Sequence, residues 1–538
     1  MRWKVEKTVF FGSSAIILSV VAFAVIDGEG FQATMGPLQQ WIALHLGWFY
    51  TLAVATLFAV ALWAMMSRVG RLRLGSPEEA PAYSFSAWLA MLFSAGMGIG
   101  LVFNGVAEPI SHFASPPGGA APGTLDAARD AMRYTFLHWG IHAWAIYAVT
   151  GLLVAYAAYR KGLPLAIRSI FFPVLGHRIY GPIGDIIEIP AVIGTLFGVA
   201  ASLGVGVTQV NAGLSHLTGI PQTAEIQVAL VIIITLAATA SVVSGLDKGI
   251  LLLSQLNMVL FLAILGFVFV LGPTTTILRS FVENTGTYLQ ELPALTFRTG
   301  VYDGTNWAQE WTYMYWPWWI AWAPFVGIFI ARISRGRTIR EFIAGVLIVP
   351  SLVTFIWMCT FGETAMRMDM AGDMEIARQV AENMPISIYV FLERFPLGAL
   401  ANVVATVLVI TFFVTSSDSG SFVVDIIASG GNPEPPVMQR VYWAFLEGAI
   451  AVALLLGGGL KALQNVSIAL ALPFCIVLLW GCYAFVRSTR GDTDHIPSSE
   501  LTVIEMKVRT NRLRNRGVSL AKMRSRELHS PSKEEKAS

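Results

Sequence analysis

The chain has 538 residues, 55% of them hydrophobic and only 13% charged, with a net charge of +2. Soluble domains carry about 25% charged residues, so this composition excludes a water-soluble globular protein and makes the bilayer the solvent. Three cysteines (Cys359, Cys475 and Cys482) all sit in apolar runs and offer no disulfide or zinc pattern.

Twelve apolar stretches reach the roughly 20 residues that a membrane helix needs. They lie near 9–26, 46–66, 86–107, 135–157, 185–213, 226–245, 249–272, 310–334, 341–361, 396–428, 438–458 and 462–486. The basic start and Ala22-Phe23-Ala24 also fit a cleavable signal peptide, but the run continues to Ile26 and fits a retained first span equally well. Basic residues gather at Arg2/Lys4/Lys7, Arg68/Arg71/Arg73, Arg160/Lys161/Arg168/Arg178, Lys248, Arg332/Arg335/Arg337/Arg340 and Arg440. If the spans alternate, all these clusters fall on one side. That side is then the cytoplasm of a bacterial inner membrane, with both termini in it. The opposite loops carry Asp27, Glu29, Asp126 and Glu225, and Thr276–Leu295 has the pattern of an amphipathic helix on the outer face. Beyond Val486 the chain becomes a tail holding Arg509, Arg512, Arg514, Arg516, Lys522, Arg524 and Arg526. Such a tail is either a solvated end or a segment attracted to anionic membrane lipids.

Helix breakers single out particular spans. The third holds Gly96, Gly98 and Gly100, then Gly105 and Pro109; the fifth holds Gly194, Gly198, Gly204 and Gly206; the eighth holds Pro317 and Pro324. Alternate glycines favour local unwinding, and carbonyls freed in this way can coordinate a cation where they line a cavity. Breaks in the third and eighth spans would be the leading helices of two five-helix halves of opposite orientation, an inverted repeat.

Two aromatic clusters lie inside spans. One runs His138-Trp139-Gly140-Ile141-His142-Ala143-Trp144 to Tyr147; the other places Trp311, Tyr315, Trp318, Trp319 and Trp322 on about a third of a helix circumference. They fit an interfacial belt or a cage for a quaternary ammonium ion. The tenth span contains Thr411 to Ser421 with Thr415, Ser416, Ser417, Asp418 and Ser419 in succession. Those hydroxyls serve either helix–helix hydrogen bonding or a sodium ion, which favours oxygen ligands. Glu108 and Asp418 are carboxylates in or bordering the membrane. Glu108, next to Pro109 at a span end, reads as a structural cap or gate rather than a proton carrier. His138 and His142 have metal-ligand spacing, yet no neighbouring Cys or carboxylate completes a set. No nucleophile–base motif, Walker loop or dinucleotide fingerprint occurs, which disfavours an enzyme or an ATP-driven pump, and nothing points to nucleic acid.

At these residues the sequence resembles the betaine/carnitine/choline transporter (BCCT) family. The matching stretches are Ala95 to Pro109, His138 to Tyr147, Trp311 to Arg337 and Phe412 to Gly420, within a likeness running from about Val9 to Arg487. The resemblance implies an all-α membrane fold of twelve transmembrane helices, with an inverted five-helix repeat like that of sodium-coupled amino-acid transporters. A short N-terminus (1–8) and two peripheral helices (9–84) would precede the first repeat (85–272). An outer connecting helix (273–309), the second repeat (310–487) and the basic tail (488–538) would follow. Homotrimers are expected. The resemblance assigns Trp139, Trp144, Tyr147 and Trp319 to an aromatic box for trimethylammonium, and Trp318, Trp322 and Phe325 to the pathway and its gating. Ser202 is a polar contact to substrate, and Met97 and Gly100 belong to the same site. One sodium (Na+) site takes Ser94 and Met97 through their carbonyls, the Phe412 carbonyl, Thr415 and Ser416. A second is in doubt, because Thr195 is followed four residues on by Val199, whose methyl groups cannot ligate sodium. Gly100 stands where choline-preferring relatives tend to carry Asp, so a zwitterion such as glycine betaine fits better than an uncompensated cation. The function implied is sodium-coupled import of such a solute. Proton-coupled choline transport or sodium-independent carnitine/betaine exchange are the alternatives, and a channel or a non-transporting receptor the readings from other classes.

Overall fold

The computed structural model describes residues 5–96, 98–244, 251–490 and 492, without the side chains of 93–96, 244, 251, 460 and 463. The basic tail therefore lies almost wholly outside the described residues. So do Met97 and the side chain of Ser94.

Among the described residues the fold is entirely helical. Fifteen helices carry the argument: α1 (Lys7–Ile26), α2 (Gly28–Met66), α3 (Phe85–Gly96), α4 (Ile99–Ala114), α5 (Leu125–Trp139), α6 (Ile141–Ala155), α7 (Pro182–Thr218) and α8 (Ala224–Ser244), then α9 (Leu251–Leu271), α10 (Thr274–Thr296), α11 (Thr312–Ile333), α12 (Ile339–Met358), α13 (Gly398–Ala428), α14 (Val437–Gly459) and α15 (Gln464–Thr489). Eleven helical segments are long and apolar enough to cross a membrane, where the sequence predicted twelve. The difference is the third span. It is split into α3 and α4, of 12 and 16 residues, around an extended Gly98 (φ −146°, ψ −161°), so neither piece spans alone.

The eighth span departs from expectation in the opposite sense. α11 runs unbroken through Pro317 and Pro324, and the irregular residue is Trp311 (φ −114°, ψ −71°), just before its start. Proline is tolerated inside membrane helices where neighbouring groups satisfy the freed carbonyls. The fourth and ninth spans instead share an irregularity: α6 and α12 each run directly into a five-residue π turn, Tyr156–Arg160 and Cys359–Glu363.

Small residues set the close helix approaches. Gly327 of α11 faces Thr150 and Gly151 of α6 so tightly that an added Cβ would lie 2.5 Å from Thr150 Cγ2. With no hydrophobic drive between helices in lipid, such backbone proximity supplies the packing. α7 lies at the centre, against α13, α11 and the α14–α15 pair.

On the arginine-rich side, the loop between the second and third spans pairs with the loop leading to the ninth. Leu74 N–H donates to the Arg337 carbonyl at 2.8 Å, Gly336 N–H to the Leu74 carbonyl at 2.7 Å and Ile339 N–H to the Leu72 carbonyl at 2.8 Å. Arg337 stacks 4.2 Å above the Trp88 ring and donates to the Tyr83 and Ser84 carbonyls, while Trp88 Nε1 donates to Ser334 Oγ at 2.9 Å. The beginning of α3 is thereby fastened to the end of α11.

Candidate functional site

The two aromatic clusters are not a belt. Trp139, Trp144, Tyr147 and Trp319 are all buried within the protein, whereas among the described residues Trp41, Trp48 and Trp63 of α2 are the tryptophans exposed to the surroundings. Trp139 closes α5 and Tyr147 lies on α6; Trp318, Trp319 and Trp322 come from α11. They meet around a small cavity of about 30 Å³ that is also lined by Gly98, Ile99, Gly100, Leu101, Ser202 and Ser416.

The rings meet edge to face. Trp139 and Trp319 have centroids 5.2 Å apart at 88°, and Tyr147 and Trp319 are 5.5 Å apart at 80°. Indole N–H groups are held by backbone carbonyls: Trp319 donates to His138 at 3.0 Å and Trp322 to Gly198 at 3.0 Å. Ser202 Oγ donates to the same Gly198 carbonyl at 3.2 Å. Trp144 does not line the cavity; it packs behind Tyr147 at 5.7 Å, and Phe325 packs against Trp322 at 5.6 Å. Gly100 is required by close approach, since a Cβ there would lie 2.9 Å from Trp139 Cη2 and 3.1 Å from Trp318 Cη2.

A second, larger cavity of about 170 Å³ sits near the arginine-rich end, lined by Leu153, Tyr156, Lys161, Phe172, Phe485 and others. Its lining is mostly apolar and its Tyr156 ring is already covered by the Lys161 ammonium, a like charge to a cationic head group, so it is the weaker candidate for recognising such a solute.

Beside the aromatic cavity the α3–α4 break faces α13. A Cβ on Gly98 would come within 3.8 Å of Ser416 Oγ. Thr415 Oγ1 donates to the Phe412 carbonyl at 2.9 Å and accepts from Asn257 Nδ2 at 3.0 Å. Phe412, Thr415 and Ser416 thus gather three oxygens, the type of donor a hard cation favours, on one turn of α13, with the Thr415 hydroxyl here turned onto the Phe412 carbonyl. Asn257, on α9, carried no signal in the sequence, because its partner lies more than 150 residues away. At the other expected ion position, Thr195 Oγ1 is buried without a hydrogen-bond partner, and Val199 fills the adjacent space against Gly420, 3.2 Å from a Cβ there.

Glu108 requires a correction. It is not a border cap; it lies within α4, fully buried, and Pro109 does not end the helix. Its Oε2 accepts from Trp139 Nε1 at 2.7 Å and from the Tyr315 hydroxyl, while Oε1 lies 2.6 Å from His138 Nδ1 and 3.3 Å from His112 Nε2. A carboxylate does therefore stand beside His138, and His112 with it, with donor atoms all within 4.8 Å of one another. His142 turns away to Thr296 Oγ1 and Tyr288. Every ligating atom of the Glu108–His112–His138 group already has a hydrogen-bond partner, His112 Nδ1 accepting from Trp307 Nε1 and His138 Nε2 meeting Thr312 Oγ1. The group is a closed polar network rather than a vacant metal cage.

A helical membrane bundle that encloses an aromatic-walled cavity beside a helix break is built as a solute transporter, not an enzyme. The family model "BCCT, betaine/carnitine/choline family transporter" matches residues 8–494. The chain is 46% identical over 519 residues to an uncharacterized transporter of Mycobacterium tuberculosis, covering 95% of this chain and 87% of that one. It is 44% identical over 490 residues to the glycine betaine transporter of Acinetobacter baylyi (91% and 74%), and 44% identical over 496 residues to the glycine betaine transporter OpuD of Bacillus subtilis (92% and 96%). The chain belongs to the betaine/carnitine/choline transporter family.

Proposed function

We propose that this transporter imports glycine betaine, or a closely related trimethylammonium zwitterion, coupled to sodium and by alternating access. The observation that carries the reading is the cavity walled by Trp139, Tyr147, Trp318, Trp319 and Trp322. A quaternary ammonium ion has no N–H to donate, so ring faces are its best partners, each contributing up to about 2 kcal/mol once desolvated. Glycine at position 100 adds no charge, which suits a substrate that carries its own carboxylate. Relatives named as glycine betaine transporters support the same choice.

Sodium coupling rests on the oxygens of Phe412, Thr415 and Ser416 beside the α3–α4 break. An ion shared between α13 and the broken segment stabilises one arrangement of the two, and the cavity borders both through Gly98 and Ser416. Binding of ion and solute then favours the same state, which is the thermodynamic content of coupling. The arginine-rich loops support a reading with both termini in the cytoplasm of a bacterial inner membrane, and a homotrimer is the assembly we propose.

Uptake of labelled glycine betaine into proteoliposomes, with and without an inward sodium gradient, tests this. Accumulation above the external concentration only with the gradient is expected. Equilibration without accumulation would mean a channel, and accumulation driven by protons alone would overturn the sodium assignment.

A further inference from the structure

We infer that Glu108, which does not line the cavity, sets the cavity's preference for a positively charged head group by acting through Trp139. This rests on the betaine reading given above. Glu108 is fully buried, and no Lys or Arg pairs with it among the described residues; its partners are Trp139, Tyr315, His138 and His112. A buried carboxylate is stable only when its oxygens are satisfied, and four donors from three helices do that here. The arrangement is built, since α4 supplies the acid and His112, α5 supplies Trp139 and His138, and α11 supplies Tyr315.

Trp139 spans the distance between the acid and the cavity. Its Nε1 edge is fixed on Oε2 at 2.7 Å, and its far corner, Cη2, points at Gly100 on the cavity wall. A charge-assisted hydrogen bond of this kind is stronger than a neutral one. It also pushes electron density into the indole, which deepens the negative face that attracts a cation. In a water-poor interior this polarisation is weakly screened. The two histidines sit on Oε1, on the opposite side of the carboxyl from Oε2. A proton shared with either one leaves the negative end of the group toward Trp139. Glu108 is thus a positioning residue with an electrostatic consequence, and the consequence separates it from a merely structural acid.

The test uses two ligands of the same shape: glycine betaine and its carbon isostere, in which a tert-butyl group replaces trimethylammonium. Glu108→Gln keeps an acceptor for Trp139 and Tyr315 and turns its amide nitrogen to His138, giving up only the longer 3.3 Å contact with His112, so the volume survives and the charge does not. Binding to purified full-length protein should weaken at least about tenfold for glycine betaine, the loss of roughly 1.4 kcal/mol of cation attraction, while the isostere changes less than about twofold. Equal losses for both ligands, or no loss for either, overturn the inference. Tyr315→Phe gives a second route should the Gln variant not reach the membrane. It keeps the ring but withdraws one donor from Oε2, so the betaine-to-isostere preference should widen; a preference that stays the same or narrows refutes the proposal. Wild-type protein that does not prefer glycine betaine over the isostere would instead sink the betaine reading itself.

Discussion

A single methyl group at position 100 is the sharpest probe of the aromatic cavity. A Cβ on Gly100 would meet Trp139 Cη2 at 2.9 Å and Trp318 Cη2 at 3.1 Å, where ordinary carbon contacts are about 3.5–4.0 Å. At least one ring must retreat by about half an ångström or more. Trp318 is partly exposed and can give; Trp139 cannot, because its Nε1 is held at 2.7 Å by Glu108 and its face is packed on Trp319. Overpacking of this kind costs about 1–3 kcal/mol, and here it falls on the two rings that wall the cavity. Gly100→Ala should therefore weaken glycine betaine binding by about five- to 150-fold, read by isothermal titration or tryptophan fluorescence in detergent. Gly286→Ala, where an added Cβ meets nothing within 4 Å, is the matched control. Binding to the Gly100 variant within about twofold of wild type, with the control unchanged, would show that the rings do not grip the ligand.

Three further outcomes are expected. Trp319→Leu keeps apolar bulk but removes the ring face, so betaine affinity should fall at least about tenfold; unchanged affinity would remove this ring from the binding site. Thr415→Val is nearly isosteric and deletes one of the α13 oxygens, so the sodium concentration for half-maximal uptake should rise several-fold in proteoliposomes; an unmoved sodium dependence rejects the ion site. Val199→Thr places a hydroxyl one turn from the unpartnered Thr195 Oγ1, and the sodium dependence of uptake should steepen toward two ions. A curve of unchanged steepness would mean that the second site needs more than this oxygen.

What the sequence revealed and what it concealed divide along a physical line. Hydropathy is a local property, so the spans were legible, and the alternating glycines 96, 98 and 100 announced the break between α3 and α4. The two prolines of the eighth span gave a false signal, because whether a proline opens a helix depends on its neighbours. The tryptophan-rich stretch was legible as a cluster but not as a division of labour. Trp318, Trp319 and Trp322 reach the cavity, while Trp311 meets the His112 ring edge-on at 4.4 Å and Tyr315 turns to Glu108. The Glu108 network was hidden for the same reason as Asn257. Its members are up to 207 residues apart in the chain, and only the packing of α4, α5 and α11 brings them to one point.

The backbone ribbon between Leu72–Leu74 and Gly336–Ile339 has a mechanical consequence. It buttons the start of α3 to the end of α11 on the arginine-rich face through the backbone, whereas among the described residues α4 meets α11 further along through side chains alone, Tyr315 on Glu108 and Trp311 against His112. Stiffness is therefore unevenly distributed: a backbone ribbon holds one end and exchangeable side-chain contacts hold the other. With α3 fixed to α11, a displacement of α4 against that pair is absorbed at the extended Gly98, whose carbonyl takes only the Leu101 N–H at the start of α4. That fulcrum lies on the wall of the aromatic cavity itself, so a swing of α4 at its far end alters the cavity at its root.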